Sequence, residues 1–249
     1  MKQIARWRYW SLVFGVWCWG VGSFELIKAA DAPVPTPARW ESAIQAFEAA
    51  DRTNPAPRGA VLLVGSSSIR LWTNAPAQFP RHKILNRGFG GSHLADVVAF
   101  VDRIVIPYQP RLIVLYAGDN DIAAGKTPEQ VAADFRAFVS KVRAGLPTTP
   151  VIYLAIKPSP ARLRFLAAGQ AANRLIQEFM AGQPGLKFVD VATPMLDAQG
   201  QPRAELFLPD RLHLNETGYK LWAGIVGPVL DTLTPPERDN PGRGSGNSK

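Results

Sequence analysis

The sequence predicts an α/β domain built on a central, mostly parallel sheet of five strands. Short apolar runs rich in β-branched residues alternate with longer segments in which apolar residues recur at helical spacing. The chain has 249 residues, of which 47% are hydrophobic, which suffices for one domain with a good-sized core. Strands and helices that alternate in this way form a sheet whose strands are joined by crossover helices and run parallel.

The pattern places each element in turn. Strands are predicted at about residues 60–65, 83–87, 111–117, 150–156 and 187–191. Helices are predicted at about residues 38–50, 67–73, 93–107, 128–145, 161–181 and 215–231. The helix at 128–145 has the clearest start, because Thr127 can cap it and Pro128 suits its first turn. Its apolar face is expected to face the core rather than a cofactor.

The N-terminus carries the features of an export segment. Lys2, Arg6 and Arg8 precede an uncharged stretch over residues 9–24. Residues 1–32 are therefore predicted to be a signal peptide or an N-terminal membrane anchor with the start of a linker. Both alternatives stay open, because the apolar run is short for the roughly 20 residues of a spanning helix and the cleavage sites are imperfect. In either case positive charge stays inside, so a periplasmic or extracellular domain is expected, with possible membrane attachment through residues 7–24.

The remaining composition narrows the class of protein. The folded domain is predicted over residues 38–232, and residues 233–249 are predicted to be a disordered tail without apolar periodicity. The single cysteine, Cys18, lies in the export segment, so the domain has no disulfide available. The net charge of +8 comes from scattered basic residues, which argues against nucleic-acid binding.

Three polar loops follow predicted strands at the edge of the sheet where parallel α/β proteins bind ligands. They are Gly65-Ser66-Ser67-Ser68, then residues 86–93 with Gly88-Phe89-Gly90-Gly91, and then Gly118-Asp119-Asn120-Asp121. Taken alone, the first loop fits a flexible turn with N-capping hydroxyls, and the second fits a tight turn or a phosphate-cradling loop. The third alone fits an Asx turn or a calcium loop, although it lacks the glycine and the later glutamate of a calcium loop. Further on, Asp210 and His213 stand three residues apart, which lets a carboxylate hold an imidazole.

A serine with a histidine–carboxylate pair is the chemistry of a serine hydrolase. The tetrahedral oxyanion of such an enzyme needs hydrogen-bond donors, and each of the three loops can supply one. By composition alone Ser66, Ser67 or Ser68 could be the nucleophile. An α/β-hydrolase is disfavoured because Ile69 replaces the last glycine of Gly-x-Ser-x-Gly. Metal-assisted hydrolysis is disfavoured because the three histidines have no paired-ligand spacing.

Over about residues 40–231 the sequence resembles the SGNH hydrolases, also called the GDSL esterase/lipase family. Gly65-Ser66-Ser67, Gly91, Gly118-Asp119-Asn120-Asp121 and Asp210-Arg211-Leu212-His213 match its four blocks in order. The resemblance implies a three-layer α/β/α sandwich of flavodoxin-like arrangement. It also implies that Ser67, His213 and Asp210 form the catalytic triad and that Gly91, Asn120 and the Ser67 N–H form the oxyanion hole.

The match departs from the family pattern at two places. Ser66 replaces the usual aspartate of the first block, and Ser92-His93 stands where relatives often carry Asp-Thr. His93 is a minor alternative for the catalytic base, although no carboxylate follows it at the right spacing. Lys157 and Arg162, beyond the fourth strand, are expected to serve loop structure, with contact to an anionic substrate as the alternative.

The resemblance implies an esterase that needs no cofactor and no metal and acts through an acyl-enzyme. The family's substrates include acetylated sugars and lysophospholipids, and the absence of a long apolar insertion slightly favours an acetyl-sized acyl group. The expected partner is a small-molecule or glycan ester, and the oligomeric state stays open. The alternatives are an acyltransferase that passes the acyl group to a sugar hydroxyl, and a non-catalytic carbohydrate- or lipid-binding module.

Overall fold

Five strands form the central sheet of the computed structural model, which describes residues 37–234. The strands are β1 (Val61–Gly65), β2 (Ile84–Gly88), β3 (Leu112–Tyr116), β4 (Val151–Leu154) and β5 (Leu186–Val189). They lie in the order β2-β1-β3-β4-β5, and every neighbouring pair is parallel. The predicted fold class is confirmed, and each predicted strand is found within two residues of its expected ends.

Helices cover both faces of this sheet. The α-helices are α1 (Glu41–Thr53), α2 (Ser67–Arg70), α3 (Ala75–Gln78), α4 (Leu94–Ile104), α5 (Asp119–Ala123), α6 (Pro128–Gly145), α7 (Leu166–Met180) and α8 (Glu216–Leu233). Leu62 and Val64 of β1 belong to the core shared with α1, α4, α6 and α7. Val61 and Leu63 belong to the core on the opposite face, with α2, α3 and α8. The two-residue period of the strand thus divides its apolar side chains between two cores and produces the three layers.

The predicted helix over 161–181 is wrong at its start. Residues Pro160–Phe165 form a 3₁₀ segment in which Arg162 leaves helical geometry (φ −121°, ψ 24°), and α7 begins only at Leu166. Pro160 holds Ser159 in extended geometry (φ −150°, ψ 147°) and so sets the start of this segment, but the break itself lies further on, at Arg162. The chain after β4 therefore crosses the edge of the sheet as an irregular loop.

The loop after β3 also differs from the turn considered in the sequence, because it begins the short helix α5. Gly118 precedes this helix with φ +117°, a left-handed conformation that favours glycine. A Cβ at this position would lie 2.8 Å from Cδ1 of Ile156 in the loop after β4. Glycine thus allows the third loop to approach the fourth closely, and it presents Asp119, Asn120 and Asp121 in one helical turn.

Two of the predicted segments fall largely outside the described residues. The export segment over 1–32 does so entirely, and the tail over 233–249 does so except for its first two residues. Within residues 37–234, no helix has both the length and the apolar character needed to cross a membrane.

Candidate active site

Ser67 stands at the end of β1, where the chain turns sharply into α2. Gly65 makes this turn possible, since it has φ +138° and a Cβ there would overlap the carbonyl oxygen of Tyr116. Ser66 donates its backbone N–H to the same carbonyl at 3.0 Å. Ser66 and Ser68 are fully buried, whereas Ser67 is partly exposed. The backbone therefore presents only the middle serine at the surface.

His213 reaches the Ser67 hydroxyl from the loop before α8. Its Nε2 lies 3.0 Å from Ser67 Oγ, and its Nδ1 lies 2.6 Å from Oδ2 of Asp210. An ionised carboxylate can only accept a hydrogen bond, so Nδ1 must carry the proton that it donates to Asp210. Nε2 is then unprotonated and can accept the hydrogen bond from the Ser67 O–H. The structure thus joins the three residues in one hydrogen-bonded chain.

Asp210 uses both of its carboxylate oxygens to hold this loop. Oδ1 accepts the backbone N–H groups of Leu212 and His213, each at 2.9 Å, while Oδ2 accepts from the imidazole. Arg211 between them has φ +58°, which closes the turn. The hydrogen bond from the His213 ring, helped by the two backbone N–H groups, lowers the pKa of Asp210 to about 2. The carboxylate is therefore charged at any neutral pH.

Each of the three loops carries one candidate hydrogen-bond donor for an oxyanion. The backbone N–H groups of Ser67 and Gly91 donate to no other residue within 37–234. Gly91 has φ +75°, which its lack of a side chain permits. Asn120 donates one amide N–H to the carbonyl of Ser92 at 3.0 Å, and its second N–H is left for a ligand. All three predicted donors of the oxyanion hole, Ser67, Gly91 and Asn120, thus carry an N–H that a ligand could accept.

Buried polar contacts tie these loops to one another. The Asp121 carboxylate accepts the backbone N–H of Leu94, and so links the loop after β3 to the start of α4. On the other side, Tyr219 of α8 donates its hydroxyl to the carbonyl of Ser68 at 2.9 Å. These links fix the relative positions of loops that are far apart in the sequence.

An ion-pair cluster, which we call the Asp119 cluster, lies next to the Asn120 amide. Asp119 Oδ2 lies 3.3 Å from Nζ of Lys157 and 3.0 Å from Nη1 of Arg162. Arg162 also donates from Nη2 to Oδ1 of Asn120 at 2.9 Å. Burial alone would raise the pKa of Asp119, but the two adjacent cations outweigh it and hold that pKa below its usual value.

Sequence reasoning missed Asp119 as the partner of these two cations. The available signal was a carboxylate after the β3 glycine with two basic residues after the adjacent strand β4. In the structure Lys157 and Arg162 both pair with Asp119, so one of their two positive charges is compensated within the cluster.

A cavity of about 360 Å³ begins at this cluster and runs along α7. Phe165 and Phe188 line it with apolar surface, while Gln170, Arg174 and Gln177 on successive turns of α7 line it with polar groups. Asp119 and Arg162 are at its border. Neither Ser67 nor Asn120 lines the cavity, which approaches the proposed site only through Asp119 and Arg162.

His93 is not part of the hydrogen-bonded series that joins Ser67, His213 and Asp210. Its backbone N–H donates to Asp96 at 2.8 Å, at the start of α4, and its buried Nδ1 has no hydrogen-bond partner among residues 37–234. Across the same residues, no group of three or more His, Cys, Asp or Glu side chains is arranged to hold a metal ion.

The sequence model of the GDSL-like lipase/acylhydrolase family matches residues 59–221. The match begins just before β1 and ends within α8, so it contains Ser67, Gly91, Asn120, Asp210 and His213. A comparison with curated protein sequences finds no match.

Several solved structures are similar in fold. A GDSL-like lipase from Bacteroides thetaiotaomicron has a TM-score of 0.65 at 18% identity, covering 76% of this chain and 97% of its own. A carbohydrate esterase family 3 protein from Talaromyces cellulolyticus has a TM-score of 0.57 at 19% identity, covering 70% and 96%. An acetyl-xylooligosaccharide esterase from Geobacillus stearmophilus has a TM-score of 0.55 at 15% identity, covering 72% and 96%. At such identities the likeness is one of fold alone.

Proposed function

Because this chain belongs to the GDSL-like lipase/acylhydrolase family and is a hydrolase, we propose that it is a serine esterase with Ser67, His213 and Asp210 as its catalytic triad. The observation that carries the proposal is the hydrogen-bonded chain from Ser67 Oγ through His213 to Asp210, with distances of 3.0 and 2.6 Å. These are the contacts that a general base needs in order to take a proton from a nucleophile.

The reaction follows from this geometry. Ser67 Oγ attacks the ester carbonyl carbon while its proton passes to Nε2 of His213, and the carbonyl oxygen becomes an oxyanion. The N–H groups of Ser67, Gly91 and Asn120 stabilise that oxyanion. When the tetrahedral intermediate collapses, the C–O bond breaks and the leaving alkoxide takes the proton from His213. Water then repeats the sequence on the acyl-enzyme and releases the acid.

Asp210 orients the imidazole and stabilises its charged form. Its pKa of about 2 means that it remains an anion when His213 becomes an imidazolium. The proton consequently stays on histidine, where the leaving group can collect it.

We infer a short acyl group and a polar, sugar-like alcohol as the substrate. The cavity that begins at Asp119 and Arg162 is lined by the aromatic residues Phe165 and Phe188 and by the polar residues Gln170, Arg174 and Gln177. A sugar offers C–H faces to such rings and hydroxyl groups to such polar ends. Hydrolysis is favoured over acyl transfer to a sugar, because the family that the chain matches is one of acylhydrolases.

The test of the nucleophile compares three serine variants. Ser67→Ala is expected to abolish ester hydrolysis without changing the melting temperature much, because the partly exposed hydroxyl fills no core space. Ser66→Ala and Ser68→Ala are the matched controls, since both side chains are buried beside it. A serine-directed phosphonate should label Ser67. Labelling of Ser66 or Ser68 instead would refute the assignment.

The test of the substrate is a panel of esters. The panel contains acetyl, butyryl and octanoyl esters of one alcohol, together with acetylated xylo-oligosaccharide and lysophospholipid. The highest kcat/KM is expected for acetyl groups on the glycan. A preference for octanoyl ester or for lysophospholipid would overturn the inferred substrate class and leave the triad assignment intact.

A further inference from the structure

We propose that Arg162 is a positioning residue for the Asn120 amide and is required for that amide to stabilise the oxyanion. The inference rests on the proposed function, because it assigns a partner to one of the three oxyanion donors. It concerns a residue outside the four matched blocks, on the irregular loop after β4.

Two contacts select one orientation of the Asn120 side chain. Arg162 Nη2 donates to Oδ1 at 2.9 Å, and Nδ2 donates to the carbonyl of Ser92 at 3.0 Å. If the amide flipped, its NH₂ would meet the guanidinium, and its oxygen would meet the Ser92 carbonyl. The first of those contacts would oppose two hydrogen-bond donors, and the second would oppose two acceptors. The second N–H of Nδ2 is therefore held in one direction before any substrate binds.

The charge of Arg162 also acts on the amide. A cation at the carbonyl oxygen polarises the amide and strengthens its N–H groups as donors. Asp119 Oδ2 lies 3.0 Å from Nη1 of the same guanidinium, as an ion pair without hydrogen-bond geometry, and 3.3 Å from Nζ of Lys157. One carboxylate faces two cations, so a positive charge remains beside Asn120. Such preorganised charge stabilises an oxyanion without reorganisation during the reaction.

The non-helical backbone at Arg162 accompanies the contact between its side chain and Asn120. Its φ and ψ of −121° and 24° break the helix that the sequence predicts, and the Arg162 N–H bonds back to the carbonyl of Ser159 at 3.0 Å. The neighbouring Ala161 donates its N–H to the carbonyl of Arg211 at 3.1 Å. The loop after β4 thus contacts both the oxyanion amide and the turn that carries Asp210 and His213.

The first experiment replaces the arginine and measures kcat and KM separately. Arg162→Ala should lower kcat by about 10-fold or more while KM changes less than about 3-fold, because the amide matters most once the carbonyl oxygen is charged. The control is Arg164→Ala, an exposed arginine of the same 3₁₀ segment that stacks on Phe165. Rates are expressed per active site, as titrated with a phosphonate, so that loss of folded protein does not count as loss of turnover.

The second experiment combines Arg162→Ala with Asn120→Ala. If Arg162 acts through the amide, the double variant should have a kcat within about 2-fold of Asn120→Ala alone. If Arg162→Ala lowers kcat by the same factor in the wild type and in the Asn120→Ala variant, the proposal is overturned. A rise in KM with kcat within about 2-fold of wild type would also overturn the proposal, because that result indicates that Arg162 contributes to substrate binding or to loop structure instead.

Two further arrangements keep the test decisive. If Arg162→Ala does not fold, Arg162→Lys replaces it in the same cycle, because it keeps a cation near Asp119 but lacks the fork that serves two partners. The same outcomes then apply. Failure of the proposed function would appear separately, as activity retained in Ser67→Ala, whereas failure of this inference leaves Ser67→Ala inactive.

Discussion

Both carboxylate oxygens of Asp121 accept the backbone N–H of Leu94, at 3.1 and 3.0 Å. Asp121 lies one residue after Asn120, and Leu94 begins α4 three residues after Gly91. This fully buried carboxylate therefore links the two loops that carry Asn120 and Gly91, two of the proposed oxyanion donors. Its remaining charge is balanced by Lys126 at 2.9 Å.

Asp121→Ala is expected to destabilise the fold and to lower turnover as well. The change leaves the Leu94 N–H buried without a partner and should reduce the free energy of unfolding by about 3 kcal/mol or more. Urea unfolding of the variant and the wild type measures this change in the free energy of unfolding. The control is Asp134→Ala, since Asp134 also pairs with Lys126 but is partly exposed. Equal losses in the two variants would show that the Leu94 contact contributes little.

Asn120→Ala should reduce kcat by roughly 100-fold with a smaller change in KM, because its amide acts on the charge that forms in the transition state. Asn173→Ala is the comparison. Asn173 bonds both backbone groups of Ile156, at 2.8 and 3.0 Å, so its loss should lower the melting temperature. A destabilised but fully active Asn120 variant would refute its place in the oxyanion hole.

The pH profile should show a single protonation on its acidic side. Asp210 has a lowered pKa of about 2 and so stays ionised throughout the assay range. Any stability that this ionised carboxylate contributes is present above its ordinary pKa of about 3.9 and is lost only as pH falls towards 2. Log kcat/KM should therefore fall with a slope of one on the acidic side, because the proposed mechanism uses one general base. A slope of two within the folded range would implicate a second group.

Removal of the Asp210 charge tests the pairing of Asp210 with His213 directly. Asp210→Asn keeps an oxygen for the N–H groups of Leu212 and His213, but it no longer fixes the imidazole tautomer or balances its charge. Turnover should fall by about 100-fold or more. Near wild-type turnover would mean that another group orients His213.

Chelators should leave activity unchanged, because the proposed chemistry uses only a hydroxyl, an imidazole and N–H donors. Dialysis against EDTA followed by an esterase assay provides the measurement. Activity that is lost to the chelator and restored by a divalent metal would show that the mechanism is incomplete.

Much of the fold was predictable because its signals are local. The period of apolar residues located five strands, and parallel crossover connections placed the polar loops at one edge of the sheet. The spacing of Asp210 and His213 also predicted their contact, since three residues suffice for one turn. The break at Arg162 was not predictable in this way, because a helical period continues across it.

The sequence by itself determined the element order, the α/β class and the set of residues that could carry hydrolase chemistry. Composition left three adjacent serines open and the family resemblance selected Ser67, but only the tertiary structure gave the physical reason, which is the backbone at Gly65 packed against Tyr116 in a neighbouring strand. It alone also brought Arg162 to Asn120, 42 residues away. Local periodicity follows from neighbouring residues, whereas such contacts depend on how separate strands and loops pack across the sheet.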